Sequence, residues 1–245
     1  MRSYLIPRVF ILFFSIAFIA GITACSDDDD KGEEEVTFFL KETEVSLTVR
    51  EGRTVNVLGE STVYTVSSKD SDIAEAEMNG MAVLITGKKV GETTLTVKNP
   101  ANKTAEIAVT VTKGEDIWRL FKYECNVLVS DADIQKEIED ELMTDLPLPI
   151  DTHFKLTYNQ TNEGSLIIYP NPSDETISMQ GTFNVENDIY ILKYNGHEYQ
   201  YMPYTSLLKD SPAVFKSYVE VLTEYYQQKY PQVAIESVQR IQILM

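Results

Sequence analysis

Cysteine, histidine and tryptophan are scarce in this chain: two, two and one among 245 residues. Two cysteines, Cys25 and Cys125, do not make a disulfide framework, and no Cys/His cluster has metal-ligand spacing. Neither His153 nor His197 falls in a zinc pattern such as H-E-x-x-H. A nucleophile elbow, a phosphate loop and a dinucleotide glycine motif are all missing. No metal, no cofactor and no enzymatic activity are therefore expected, and the catalytic set is empty. Positive charge is also in short supply. Lys and Arg number 21 against 38 acids, for a formal net charge of −17. Nucleic-acid binding needs a basic face, so that class is excluded, and the charge favours a soluble, non-sticky particle. Long apolar runs are absent as well. The most apolar stretch, residues 9–24, is shorter than the ~20 residues of a membrane-spanning helix.

What that stretch offers instead is a signal peptide: Arg2 and Arg8, then "VFILFFSIAFIAGITA", then small residues. Ile22-Thr23-Ala24-Cys25 resembles a bacterial lipobox. The resemblance implies a thioether lipid on Cys25, cleavage before it, and acylation of the new amine, and several acyl chains make a stable anchor. Next comes "SDDDDKGEEE". Asp27 to Asp30 and Glu33 to Glu35, against the single Lys31, repel one another and stay extended. The run reads as a tether. A cysteine followed by Ser26 and four aspartates also resembles the surface-export signal of Bacteroidetes-type surface lipoproteins. That implies the outer leaflet of the bacterial outer membrane, facing the cell exterior. A plain acidic linker is the alternative. The run lacks the glycine turn and spaced ligands of a calcium loop.

Residues 36–113 read as short strands separated by turns. Val45, Leu47 and Val49 alternate, as do Ile107, Val109 and Val111. Asn79-Gly80 is a strong turn signal between two such runs. Ser67, Ser68, Ile73, Ala74, Gly80, Gly91, Thr93, Leu95 and Val97 resemble the pattern of a bacterial Ig-like domain of group 2, with Val66 where that family usually carries tryptophan. The resemblance implies a β-sandwich serving as spacer or adhesive module, without catalytic residues.

After the polar stretch "TKGED" the composition changes, and residues 115–245 read as a second region. It opens on a long strand, "IWRLFKYECNVLV". Cys125, inside that run, reads as a buried, inert thiol. Ser130 is expected to cap a helix whose apolar stripe is Ile134, Ile138, Leu142 and Leu146, with "EIEDEL" on its solvated face and Pro147 and Pro149 stopping it. Five strands follow, and Asn195-Gly196 predicts a two-residue hairpin turn. Counting outward pairs Tyr194 with His197, Lys193 with Glu198, Leu192 with Tyr199 and Tyr190 with Tyr201. A second helix is expected from Ser211-Pro212, with Phe215, Val219, Leu222 and Tyr226 as its stripe, and "VQRIQILM" as the last strand. The order resembles a lipocalin-like (calycin) domain, although Asp116-Ile117-Trp118 lacks that family's glycine. The rival is an open antiparallel sheet packed by both helices. The fold class is therefore mainly β: an Ig-like sandwich followed by an antiparallel barrel or sheet with two helices.

Two functions stay open. In the first, the anchored protein is a binding module, and Tyr190, Tyr194, Tyr199 and Tyr201 line a site for a small hydrophobic or glycan ligand. Tyrosine supplies an apolar body and a hydroxyl that needs a partner when buried. In the second, the protein is structural or adhesive and holds no small molecule. The partners expected are the membrane, through Cys25, and such a ligand.

Overall fold

Alternation of small β-branched residues with polar ones builds the first architecture. The structure, a computed structural model, describes residues 37–204 and 215–245 apart from 60 and 62. The signal peptide, Cys25, the acidic tether and Ser211-Pro212 lie outside the described residues. Strands β1 (Phe38–Leu40), β2 (Glu44–Thr48), β3 (Gly52–Gly59), β4 (Thr65–Ser68), β5 (Ala74–Asn79), β6 (Ala82–Gly87), β7 (Gly91–Lys98) and β8 (Thr104–Thr112) form two four-stranded sheets, ordered β1-β3-β6-β5 and β2-β8-β7-β4. Every second residue points inward, so Val45, Leu47, Val55, Val57, Val83, Ile85, Leu95, Val97, Ile107 and Val109 are all buried between the sheets. β2 joins β8 in parallel, while the other pairings are antiparallel. Asn79-Gly80 makes the turn between β5 and β6, with Gly80 at a φ of 60°.

Only Lys113 separates β8 from β9 (Gly114–Val129). Gly114 is not a loose joint. It is buried and paired with Tyr158, and a Cβ there would meet the Val49 carbonyl oxygen at 2.6 Å. From this point a closed antiparallel barrel of eight strands forms. Its members are β9, β10 (His153–Gln160), β11 (Glu163–Tyr169), β12 (Met179–Glu186), β13 (Ile189–Tyr194), β14 (His197–Tyr204), β15 (Phe215–Val221) and β16 (Ile235–Leu244). β9 closes it by pairing with β10 along its first part and with β16 along its second. Phe121 falls where the β9–β16 register shifts, so one strand bends from one neighbour to the other. An eight-stranded barrel is narrow enough for side chains to fill, and Leu120, Phe154, Leu156, Leu166, Ile168, Phe183, Leu192 and Leu244 do so.

Two short helices cover one end. Helix α1 (Ala132–Thr144) and helix α2 (Thr223–Lys229) bury Ile138, Leu142 and Tyr226 against Val127, Ile235 and Val238. Glu141 to Lys229 at 2.6 Å and Glu137 to the Tyr230 hydroxyl at 2.8 Å tie the helices together. The cap of α1 is Asp131, whose Oδ1 accepts from the amides of Asp133 and Ile134, rather than the expected Ser130. Ser130 lies just past the end of β9, its amide donating to the Ala234 carbonyl. The expected helix over Phe215, Val219 and Leu222 is corrected more severely. Those first residues form β15, and α2 begins only at Thr223. Phe215 and Val219 fit a period of two as well as a period of four, and pairing with both β14 and β16 decides the matter.

The sandwich meets the barrel at the opposite end from the helices. Val90 donates its amide to the Asn159 carbonyl at 3.0 Å, and Thr161 donates to Lys88 at 2.7 Å. The Arg50 guanidinium reaches Asp116 at 3.1 Å and lies 4.6 Å over the Tyr158 ring.

Candidate site at the helix-covered end of the barrel

The β13–β14 hairpin has the register that its turn dictates: Tyr190 opposite Tyr201, Leu192 opposite Tyr199, Lys193 opposite Glu198, Tyr194 opposite His197. Asn195 and Gly196 both take positive φ, 49° and 76°, as a two-residue hairpin turn requires. The four tyrosines therefore share the inward face of the hairpin, but they do not share one site. Tyr194 and Tyr199 stack, with ring centroids 4.3 Å apart and 17° between planes. Both line a cavity of about 150 Å³ at the helix-covered end of the barrel. Tyr201, wholly buried, sits below them among Phe154 and Tyr218. Tyr190 lies toward the sandwich, edge-on to Trp118 at 4.6 Å, with the Lys216 ammonium 4.8 Å above its ring.

The rest of the cavity comes from residues that the sequence did not point to. Tyr218 and Glu220 of β15, Arg240 and Gln242 of β16, Tyr123 of β9 and Met179 of β12 line it with Tyr194 and Tyr199, while Pro147 and Leu148 form a lip. Alternation in "FKSYVEV" was the available signal for Tyr218 and Glu220, and the helical reading obscured it. Tyr123 and Gln242 are brought together only by barrel closure.

The cavity floor is a hydrogen-bonded chain. The Tyr201 hydroxyl donates to Gln242 Oε1 in a short bond, and Gln242 Nε2 donates to the Tyr123 hydroxyl at 3.0 Å. That hydroxyl in turn donates to the Leu148 carbonyl at 3.0 Å and accepts from the Leu148 amide at 3.2 Å, which pins the lip across the barrel. On one side Arg240 donates Nε and Nη2 to Glu220 Oε2 at 2.9 and 2.6 Å, and Nη1 to the Asp145 carbonyl at 2.6 Å. Burial pushes the Tyr123 and Tyr201 hydroxyls above the ordinary phenol range, and burial again, with Tyr199 beside it, does the same to Tyr194. All three stay protonated at neutral pH and can donate as well as accept. Cys125 is half-buried, its thiol raised by desolvation. His197 is exposed, next to Tyr199. Among the described residues, no group of three or more His, Cys, Asp and Glu side chains is placed to hold a metal ion, and no helix is long and apolar enough to cross a membrane.

Set beside known proteins, the sandwich matches a family profile. A sequence profile described as "Pilus formation protein N terminal region" matches residues 41–112. That span starts after β1 and stops at the end of β8. No curated protein matches the chain. Among solved structures, the crystal structure of the S-layer protein rSbsC is similar at 15% identity and a TM-score of 0.28, over 64% of this chain and 25% of that one. The chain thus spans about a quarter of that protein's length.

Proposed function

We propose that this protein is a lipid-anchored binding protein of the bacterial outer surface, with the barrel cavity as its ligand site. Cys25 carries the lipid, the acidic run spaces the folded part from the membrane, and the Ig-like sandwich acts as the stalk. The barrel is lipocalin-like in this reading and presents its helix-covered end for binding; no reaction is catalysed. The observation that carries the reading is the cavity itself. It lies at the barrel end opposite the sandwich, and aromatic walls and a few convergent polar groups surround it, as in small-molecule sites.

The test is a thermal-shift measurement on the full chain with three classes of six-membered-ring or similarly small probes: toluene, tetramethylammonium and methyl glycosides. Binding to the native state raises the transition temperature. Stabilisation by any class, lost when Met179→Trp fills the cavity, supports the reading. No shift by any class, with Met179→Trp as stable as wild type, reduces the cavity to a packing gap. Anchoring is tested separately: Cys25→Ala should leave the membrane fraction, and retention there refutes the lipid.

The structural or adhesive reading keeps one observation of its own. The pilus-formation profile covers β2 to β8 of the sandwich, and Leu58 within it pairs with Phe39 of β1, just outside it, the two being 54% and 67% exposed.

A further inference from the structure

We infer that the barrel cavity takes a single pyranose ring, the terminal sugar of a glycan; the inference rests on the binding reading above. Size comes first. A cavity near 150 Å³ holds one six-membered ring and little more. Its floor is sealed by the Tyr201–Gln242–Tyr123 chain, so a ligand enters from one side only and must present an end.

Wall chemistry then narrows the class. Tyr194 and Tyr199 offer stacked rings, and Tyr218 stands edge-on to Tyr199 at 5.2 Å. Such walls suit the C–H faces of a saturated ring. A plain hydrocarbon ring is disfavoured, because it would strip water from Glu220, Arg240 and Gln242 and return no hydrogen bond. A cation is disfavoured as well, because the one carboxylate that lines the cavity among the described residues is already neutralised. Arg240 places two of its donors on Glu220 Oε2. Among the described residues that leaves Glu220 Oε1 without a donor, and two of the five guanidinium N–H groups unused. An acceptor and donors thus sit side by side in a pair with no net charge. Adjacent hydroxyls of a sugar, each able to donate and accept, satisfy both at once, and bonds to ionised groups are the stronger kind. A neutral polyhydroxylated ring with apolar faces is the one small ligand that meets every wall.

The experiment uses the full-length chain in a non-glycosidic detergent, so that the micelle offers no competing sugar. Saturation-transfer NMR is recorded with the methyl pyranosides of glucose, galactose, mannose, fucose and N-acetylglucosamine, and with toluene and tetramethylammonium. Transfer to at least one pyranoside is expected. Tyr199→Ala and Glu220→Gln should each weaken it tenfold or more, Tyr199→Phe should retain most of it, and Met179→Trp should abolish it. Binding of toluene or tetramethylammonium without any pyranoside overturns the sugar and leaves the binding reading standing. A pyranoside that binds Met179→Trp as well as wild type overturns the site. No transfer to any probe removes both.

Discussion

Replacing Tyr201 by Phe deletes one oxygen atom from the centre of the barrel and nothing else. The ring is wholly buried and its packing against Phe154 and Tyr218 is kept, so no cavity opens. What changes is hydrogen bonding. Gln242 Oε1 loses its donor, and Tyr194 loses a hydroxyl neighbour. A buried polar group left without a partner costs about 1–3 kcal/mol. For a chain of this size, 1 kcal/mol lowers the transition temperature by about 2–4 °C, so a drop of roughly 2–12 °C is expected. Gln242→Leu should cost a similar amount, because it removes the acceptor of the Tyr201 hydroxyl and leaves it only Tyr194 as a partner. Tyr123 keeps its two bonds to Leu148 in that variant. The double variant removes both ends of the central bond together. It should cost less than the sum of the two by about 1 kcal/mol or more. Urea unfolding followed by fluorescence of Trp118, a barrel residue, measures all four proteins. A Tyr201→Phe protein within about 0.3 kcal/mol of wild type, or strict additivity in the cycle, refutes the account of the floor as a coupled network.

Other consequences can be checked more briefly. Tyr123, Tyr194 and Tyr201 are protonated in the fold to higher pH than in the unfolded chain, so their contribution is complete below about pH 10 and is lost as pH rises toward the folded values. Part of the tyrosinate absorbance of the 14 tyrosines should then appear late and together with unfolding; ionisation of all of them in one step near pH 10 with the barrel intact contradicts this. Ile138→Ala, at a wholly buried site beneath α1, should destabilise the chain by about 2–5 kcal/mol in the same urea assay. Asp131→Ala should cost about 1 kcal/mol through loss of the α1 cap, and Ser130→Ala much less, which distinguishes the observed cap from the expected one.

Local chemistry made some elements legible and long-range closure hid others. Asn195-Gly196 set four residue pairs of one hairpin in advance, because a two-residue turn with two positive φ values admits one register. β2, β7 and β8 of the sandwich were legible because buried residues alternate with more exposed ones along them. β15 was not, because Phe215 and Val219 satisfy a helix and a strand alike and the arbiter is pairing with β16, more than a dozen residues on. The site suffers most from this. Tyr194 and Tyr199 lie on one hairpin and could be named. Tyr123, Glu220, Arg240 and Gln242 reach the same cavity from three other strands, and no local pattern in the sequence joins them. The four tyrosines were expected to act together because they share a face. A barrel strand runs the full height of the interior, however, so residues on one face divide between its two ends, as Tyr190 and Tyr194 do.

The last argument concerns how firmly stalk and barrel are joined. Arg50 is the third residue of the turn Thr48–Glu51, whose ends are bonded through the Glu51 amide at 3.0 Å. It holds a φ of 72°, a conformation that disfavours any residue with a Cβ by about 1–2 kcal/mol. Glycine is the usual occupant of such a position. Arg50 sets against that cost an ion pair with Asp116, worth about 0–1 kcal/mol at its half-exposed site, and a cation–π contact with Tyr158 of about 0.5–1 kcal/mol. Tyr158 is itself bonded to the same carboxylate at 2.8 Å, so three groups from two architectures meet at one oxygen atom. Arg50→Ala removes the contacts and keeps the strained backbone. Arg50→Gly removes the contacts and relieves it. The glycine variant should therefore be the more stable of the two by about 1 kcal/mol. Both should loosen the junction, which amide exchange at Val90 and Thr161 reports, since those amides bond across it. Exchange at wild-type rates in both variants would show that the backbone bonds alone hold the stalk to the barrel, and equal stability of the two would show that the turn is not strained.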